Sequence, residues 1–153
     1  MAGKRVLAAG KFDILHLGHI AYLEQARELA GEDGELIVVI ARDSTIVRER
    51  GAPPVFPQEQ RRRLVQSLRV VDKAVIGYEN ADPSRIVTEY RPDVIALGYD
   101  QRLDVEKLQQ QLRSHGITVD VVRLEKRSAD GLSSSTRIRK RIIEYYKNNG
   151  TVR

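Results

Sequence analysis

Short apolar runs rich in β-branched residues recur along the chain, at Arg5 to Ala9, Glu35 to Ala41, Lys73 to Ile76, Val94 to Leu97 and Thr118 to Val122. Runs of this length and composition predict strands. Between them, apolar positions return at helical spacing over Ile20 to Leu29, Pro57 to Leu68, Pro83 to Tyr90 and Val105 to Ser114, and a last helical stretch runs from Ser135 to Tyr146. Strand and helix alternate throughout. That order predicts an α/β architecture, a doubly wound parallel sheet of about five strands with helices on both faces.

In such sheets ligands bind beyond the carboxyl ends of the strands, which directs attention to particular loops. These are Gly10 to His19, Arg42 to Phe56, Gly98 to Arg102 and Arg123 to Thr136; the loop Gly77 to Asp82 is less distinctive. At 153 residues the chain has the length of one ordinary domain, expected to span residues 1–153, and its 41% hydrophobic and 31% charged residues exclude a disordered polymer. Lys and Arg exceed Asp and Glu by 26 to 21. The surplus suits an anionic partner, nucleotide or nucleic acid, but a solvated surface carries the same charge and the count alone decides nothing. The absence of cysteine excludes disulfides, thiolate metal sites and a cysteine nucleophile. The longest apolar run, Leu36 to Ala41, is too short to span a bilayer, and Met1 to Arg5 leads straight into the first strand. A cytoplasmic protein without a membrane partner is expected.

The loop after the first strand reads Gly10-Lys11-Phe12-Asp13-Ile14-Leu15-His16-Leu17-Gly18-His19. It places His19 at the start of the first helix and His16 just before it, where both rings can face an anion held at the helix N-terminus. Imidazole donates a hydrogen bond to a phosphoryl oxygen and, when protonated, offsets developing charge. Gly18 lets backbone approach a phosphate closely. The competing reading makes both histidines caps or packing residues, and that plain reading is preferred for His115, which ends a helix alone. Asp13 either touches substrate or orients its own loop through backbone hydrogen bonds. Ser133-Ser134-Ser135-Thr136 precedes a basic helix carrying Arg137 and Arg139, a pattern that serves equally as an anion site or as an N-cap. Asp100, after Gly98, is balanced in the same way between a pocket residue and an N-cap. Arg48, Arg50, Arg61, Arg62 and Arg63 form a cationic cluster in which any single member fits a solvated helix face.

G-x-F-D followed by H-x-G-H after a strand, with S-S-S-T ahead of a helix, resembles the signature of the cytidylyltransferase and adenylyltransferase superfamily. The second motif there reads I-S-S-T-x-[IVL], with Leu132 or Ser133 near its apolar start and Ile138 at its end. The resemblance runs from Arg5 to about Ile143. Val39 to Thr45, Pro57 to Arg62 and Leu97 to Gln101 look like the archaeal FMN adenylyltransferase branch, and the bacterial glycerol-3-phosphate cytidylyltransferases share the fold and both motifs. Two departures stand out: Lys11 replaces a common threonine, and the C-terminal cysteines associated with the archaeal branch are absent.

The resemblance implies a Rossmann-like nucleotidyltransferase that moves AMP from ATP to FMN, giving FAD and pyrophosphate, with CTP and glycerol 3-phosphate as the alternative pair. It assigns catalysis to His16, His19 and Lys11. It lines the nucleotide site with Gly10, Phe12, Asp13, Gly18, Gly98, Asp100, Ser134, Ser135, Thr136 and Arg137, and the acceptor site with Arg48, Arg50 and Arg61. It further implies magnesium or another divalent cation, a homodimer, and no nucleic-acid partner. A rival of another class is an RNA-binding module built on the basic helix Arg137 to Lys147, with Tyr145 and Tyr146 as stacking platforms. That rival leaves H-x-G-H without a role.

Overall fold

In the computed structural model, which describes residues 3–79, 83–127 and 132–149, five strands and six helices alternate. Their order is β1 (Arg5–Gly10), α1 (Leu17–Ala30), β2 (Glu35–Ile40), α2 (Asp43–Arg50), α3 (Gln58–Gln66), β3 (Lys73–Ile76), α4 (Pro83–Tyr90), β4 (Val94–Leu97), α5 (Val105–Ser114), β5 (Asp120–Arg123) and α6 (Ser135–Asn149). All the strands pair in parallel, in the order β3-β2-β1-β4-β5. The chain winds outward from β1 to one side and then, through β4, to the other. The connection therefore reverses between β1 and β4, and their carboxyl ends flank the crevice where such sheets bind ligands.

Alternation along the strands sorts the core into two layers. Val6, Ala8, Leu36, Val38 and Ile40 pack with Leu23, Ala26 and Ala30 of α1 and Val65 of α3. Leu7, Ile37, Ile95 and Leu97 pack on the other face with Val87 of α4 and Leu108 and Leu112 of α5. Helices thus cover both faces of a Rossmann-like sheet, as the alternation of runs predicts. No helix among the described residues is long and apolar enough to cross a membrane.

Several boundaries differ from expectation. Helix α1 begins at Leu17 instead of Ile20, because His16 supplies a cap that hydrophobic periodicity does not register. Helix α2 lies inside the expected loop Arg42 to Phe56; its two turns bury only Thr45 and Ile46, too few apolar positions to establish a period. It stops at Gly51, whose φ of 76° and ψ of 9° form a left-handed C-cap. Strand β5 starts at Asp120 instead of Thr118, and α6 runs on to Asn149.

The cluster of arginines resolves into different roles. Arg62 pairs with Glu59 along the surface of α3, as a solvated face requires. Arg61, expected either on that face or at an acceptor, is fully buried. Its Nε donates to the Phe56 carbonyl at 2.9 Å, Nη1 to the carbonyls of Lys11 and Ala41 at 2.7 Å each, and Nη2 to Asp43 at 2.7 Å. A guanidinium with no exposure and its donors engaged reaches no acceptor, so Arg61 is a brace. It joins the loop after β1, the end of β2, the start of α2 and the turn before α3. Arg61→Leu would leave buried carbonyls without a donor and a poorly filled space, at a cost of about 3–5 kcal/mol. Urea unfolding should register that loss, whereas the exposed Arg63→Leu should unfold like the parent; equal midpoints for all three proteins would remove Arg61 from this role.

Candidate active site

The loop after β1 is built from inside outward. Phe12 is 2% exposed and adopts φ 50°, which turns its ring back into the core beside His19 and Tyr22, with centroid separations of 5.2 and 6.4 Å. A Cβ on Gly10 would stand 2.8 Å from the Phe12 ring, so only glycine fits where the strand ends. Asp13 is 3% exposed and accepts from the backbone N–H groups of Val55 at 2.9 Å and Phe56 at 3.0 Å, with Arg50 3.3 Å away. Burial disfavours its charge, but those two N–H donors and Arg50 outweigh it and hold the carboxyl below its usual pKa.

Of its two readings, Asp13 therefore takes the loop-orienting one, since its oxygens point into the protein and not toward a nucleotide. Phe12 is likewise a packing residue. Arg50 is engaged with Asp13 and the Pro53 carbonyl, which makes it a brace like Arg61. Arg48 of the expected acceptor trio remains exposed on α2. Lys11 is exposed as well, its Nζ 3.2 Å from Glu49.

His16 and His19 close the first turn of α1 reciprocally. His16 is the N-cap, and its Nδ1 accepts from the Gly18 N–H at 3.1 Å. His19 reaches back, its Nδ1 accepting from the His16 N–H at 3.2 Å. A backbone N–H only donates, so each Nδ1 is unprotonated and each ring carries its proton on Nε2. The rings stack with centroids 3.8 Å apart, which opposes two positive charges side by side. Burial lowers the His16 pKa, and burial followed by the neighbouring His16 brings His19 down to about 4. At neutral pH the pair offers two uncharged Nε2–H donors at a helix N-terminus. Preorganised donors of this kind suit a phosphoryl group whose charge grows during reaction. His115, by contrast, is an exposed C-cap whose Nδ1 lies 2.9 Å from the Gln111 carbonyl.

The second motif comes to the same place. A Cβ on Gly18 would lie 2.6 Å from the Ser133 carbonyl, so glycine permits the loop before α6 to touch the first turn of α1. Ser134 is the cap of α6, its Oγ accepting from the Arg137 N–H at 3.2 Å. Ser135 and Thr136 occupy the first turn, and Thr136 and Arg137 are exposed. Capping thus falls to Ser134, while the Thr136 Oγ1 accepts from Arg139 Nη2 at 3.3 Å and keeps its own O–H to donate. The N-termini of α1 and α6 are thus brought side by side: in α1 His16 takes up the N–H groups of Gly18, His19 and Ile20, and in α6 Ser134 takes up those of Arg137 and Ile138.

The loop after β4 completes the rim. Gln101 spans the crevice, its Nε2 donating to the Ala9 carbonyl at 2.9 Å and its Oε1 accepting from the Gly98 N–H at 2.7 Å. Tyr22 links the same strands from below, donating to the Ala96 carbonyl at 2.6 Å; burial pushes its hydroxyl pKa upward, so it stays protonated. Arg123 pins the loop through the carbonyls of Gly98, Gln101 and Leu103. The helix cap weighed for Asp100 belongs to Asp104, which accepts from Lys107 N–H, and Asp100 stays exposed at the mouth. Sequence reasoning gave no role to Gln101, Tyr22 or Arg123. Gln101 alone left a signal, in the run Leu97 to Gln101; the other two are ordinary helix and strand residues until the fold places them.

The model of the cytidylyltransferase-like family matches residues 7–141. The chain is 46% identical over 145 residues to a protein of Methanopyrus kandleri named FAD synthase, covering 95% of each. It is 47% identical over 140 residues to a Thermoplasma volcanium FAD synthase, with 92% of this chain and 94% of the relative covered. Among solved structures it resembles a Thermoplasma volcanium protein described as a lipopolysaccharide core biosynthesis protein, with TM-score 0.76 and 46% identity over 83% of this chain and all of that one.

The neutral histidine pair ties stability to pH. His19 has a folded pKa of about 4 against 6.5 for the free side chain, so between these values the unfolded chain binds the extra proton. The stabilisation is complete above pH 6.5 and is lost as pH falls toward 4. Chemical denaturation at pH 7 and pH 5.5, where most carboxylates are still ionised, should differ by on the order of 1 kcal/mol, and His19→Asn should flatten the difference. An unchanged slope in the variant would assign the effect elsewhere. At the junction of the motifs, Gly18→Ala should cut turnover severely while the far-UV spectrum stays native; undiminished activity would mean that the 2.6 Å approach to Ser133 is unimportant.

Proposed function

The chain belongs to the cytidylyltransferase-like family, and we propose that it is an FMN adenylyltransferase, transferring AMP from ATP to FMN with release of pyrophosphate. The observation that carries this reading is the meeting of two helix N-termini through Gly18 and Ser133, with two uncharged imidazole donors between the strand ends and the solvent. The relatives' name supplies the choice of ATP and FMN over CTP and glycerol 3-phosphate. An FMN phosphate oxygen attacks the α-phosphorus of ATP, the bond from that phosphorus to the β-phosphate oxygen breaks, and pyrophosphate departs. The nucleophile is already anionic at neutral pH and needs no strong base. Catalysis then reduces to alignment and to stabilising charge on the transferring group.

In this reading the Nε2–H groups of His16 and His19 donate to the α-phosphoryl oxygens. The first-turn N–H groups of α6, with the Ser135 and Thr136 hydroxyls and Arg137, hold the departing pyrophosphate. Lys11, on leaving Glu49, adds a cation beside the triphosphate, and Arg48 is the exposed arginine available to the acceptor. Among the described residues no three His, Cys, Asp or Glu side chains gather as a metal cage. A divalent ion such as magnesium would therefore be held chiefly by the phosphates of the nucleotide, where it neutralises their charge. Finer expectations follow: a cytoplasmic protein without a nucleic-acid partner, and a homodimer burying the exposed Ile142, Ile143 and Tyr146 of α6.

Incubation with magnesium and each pairing of ATP or CTP with FMN or glycerol 3-phosphate should yield FAD and pyrophosphate from ATP and FMN alone. Faster turnover of CTP with glycerol 3-phosphate would replace this reading with a cytidylyltransferase, and tight RNA binding without turnover would replace it with a binding module. His16→Asn retains an oxygen able to cap Gly18 N–H but lacks the Nε2–H donor, so it should fold normally and lose about 100-fold in turnover. Near-normal pyrophosphate release from that variant would remove His16 from the catalytic group.

A further inference from the structure

Gln25 is a polar side chain on the core-facing side of α1, only 7% exposed, between the fully buried Leu23 and Ala26. Its carboxamide pairs with both backbone groups of one residue: Nε2 donates to the Glu125 carbonyl at 2.9 Å, and Oε1 accepts from the Glu125 N–H at 3.3 Å. One turn further along α1, Glu28 receives the guanidinium of Arg127 in two bonds of 3.0 and 2.9 Å. Both contacts fasten the stretch just past β5 to α1. At its other end the same helix meets Ser133 through Gly18.

A buried amide costs stability unless its hydrogen bonds are made, and an apolar residue would suit this face of the helix better. What the amide supplies is a pair of bonds to main chain, which fixes where residue 125 lies whatever its side chain. The ion pair of Glu28 and Arg127 is exposed and contributes little by comparison.

We propose that Gln25 is a positioning residue for the second motif: by docking the chain after β5 onto α1, it sets where Ser133 to Thr136 meet the turn that carries His16 and His19. Helix α1 is then a common gauge for both motifs, holding one at its N-terminus and the approach to the other along its side. The inference rests on the adenylyltransferase reading only for its kinetic consequence. Its structural consequence, a fixed seat for the start of α6, is independent of substrate.

The test is Gln25→Met in the full chain, a change that keeps length and apolar stem and removes both hydrogen bonds. Amide hydrogen exchange should quicken about tenfold across residues 132–138 while residues 17–24 exchange as in the parent. The KM for ATP should rise about fivefold, with the KM for FMN unmoved, because two hydrogen bonds to one loop have been lost and the acceptor side is untouched. Should Gln25→Met fold poorly, Gln25→Leu removes the same two bonds behind a stiffer apolar side chain and should show both changes. Unchanged exchange over 132–138, or a uniform quickening that includes 17–24, overturns the proposal. So does an equal rise in both KM values. If exchange changes locally but the parent protein fails to convert ATP and FMN, the positioning role stands and the adenylyltransferase reading falls.

Discussion

The rim of this sheet depends on one buried cation. Arg61 has no exposure, yet its guanidinium gathers carbonyls from three separate loops and a carboxylate from a fourth segment. Main chain at the carboxyl ends of β1 and β2 has no neighbouring strand to complete its hydrogen bonds, and so close to the core water cannot do so either. A planar group with five donors satisfies several carbonyls at once, which a lysine ammonium would do only as a point charge. Asp13 performs the converse task with the N–H groups of Val55 and Phe56. Between them, one cation and one anion turn the loops after β1 and β2 into a single rigid edge.

On that edge the histidine pair combines two duties in one set of bonds. The Nδ1 atoms satisfy backbone N–H groups at the start of α1, and this same use leaves the proton of each ring on Nε2. Capping therefore determines the tautomer, and partial burial with ring stacking keeps the charge off. The alternatives of cap and phosphate contact, which compete when the loop is read as sequence, are not exclusive here. A cap and a donor are the two nitrogens of one ring.

The second half of the site is assembled by contacts that lie far apart along the chain. Gly18 admits Ser133, Gln25 and Glu28 hold residues 125 and 127, and Gln101 bridges Ala9 and Gly98 across the point between β1 and β4 where the order of connection reverses. Each relies on a side chain with an amide, a charge or no Cβ at all, set where apolar packing alone would leave two main-chain segments free to slide.

Much of this was legible from the chain itself. Period and β-branched content located all five strands, and their alternation with helices determined a parallel sheet covered on both faces, because neither pattern has another economical way to bury its apolar residues. The paired histidines and the serine run marked the starts of α1 and α6 through local chemistry. Helix α2 was missed because two turns with two buried residues carry no period, and Leu17 to His19 because an imidazole cap leaves no hydrophobic trace. The roles of Arg61, Asp13 and Arg50 were beyond local reading: a charged residue in a helix or loop looks solvated until the fold supplies buried partners from distant segments. Which histidine nitrogen bears the proton, and that Ser133 rests on Gly18, were likewise decided only by tertiary structure, since both depend on the close approach of main chain and not on the identity of neighbours in sequence.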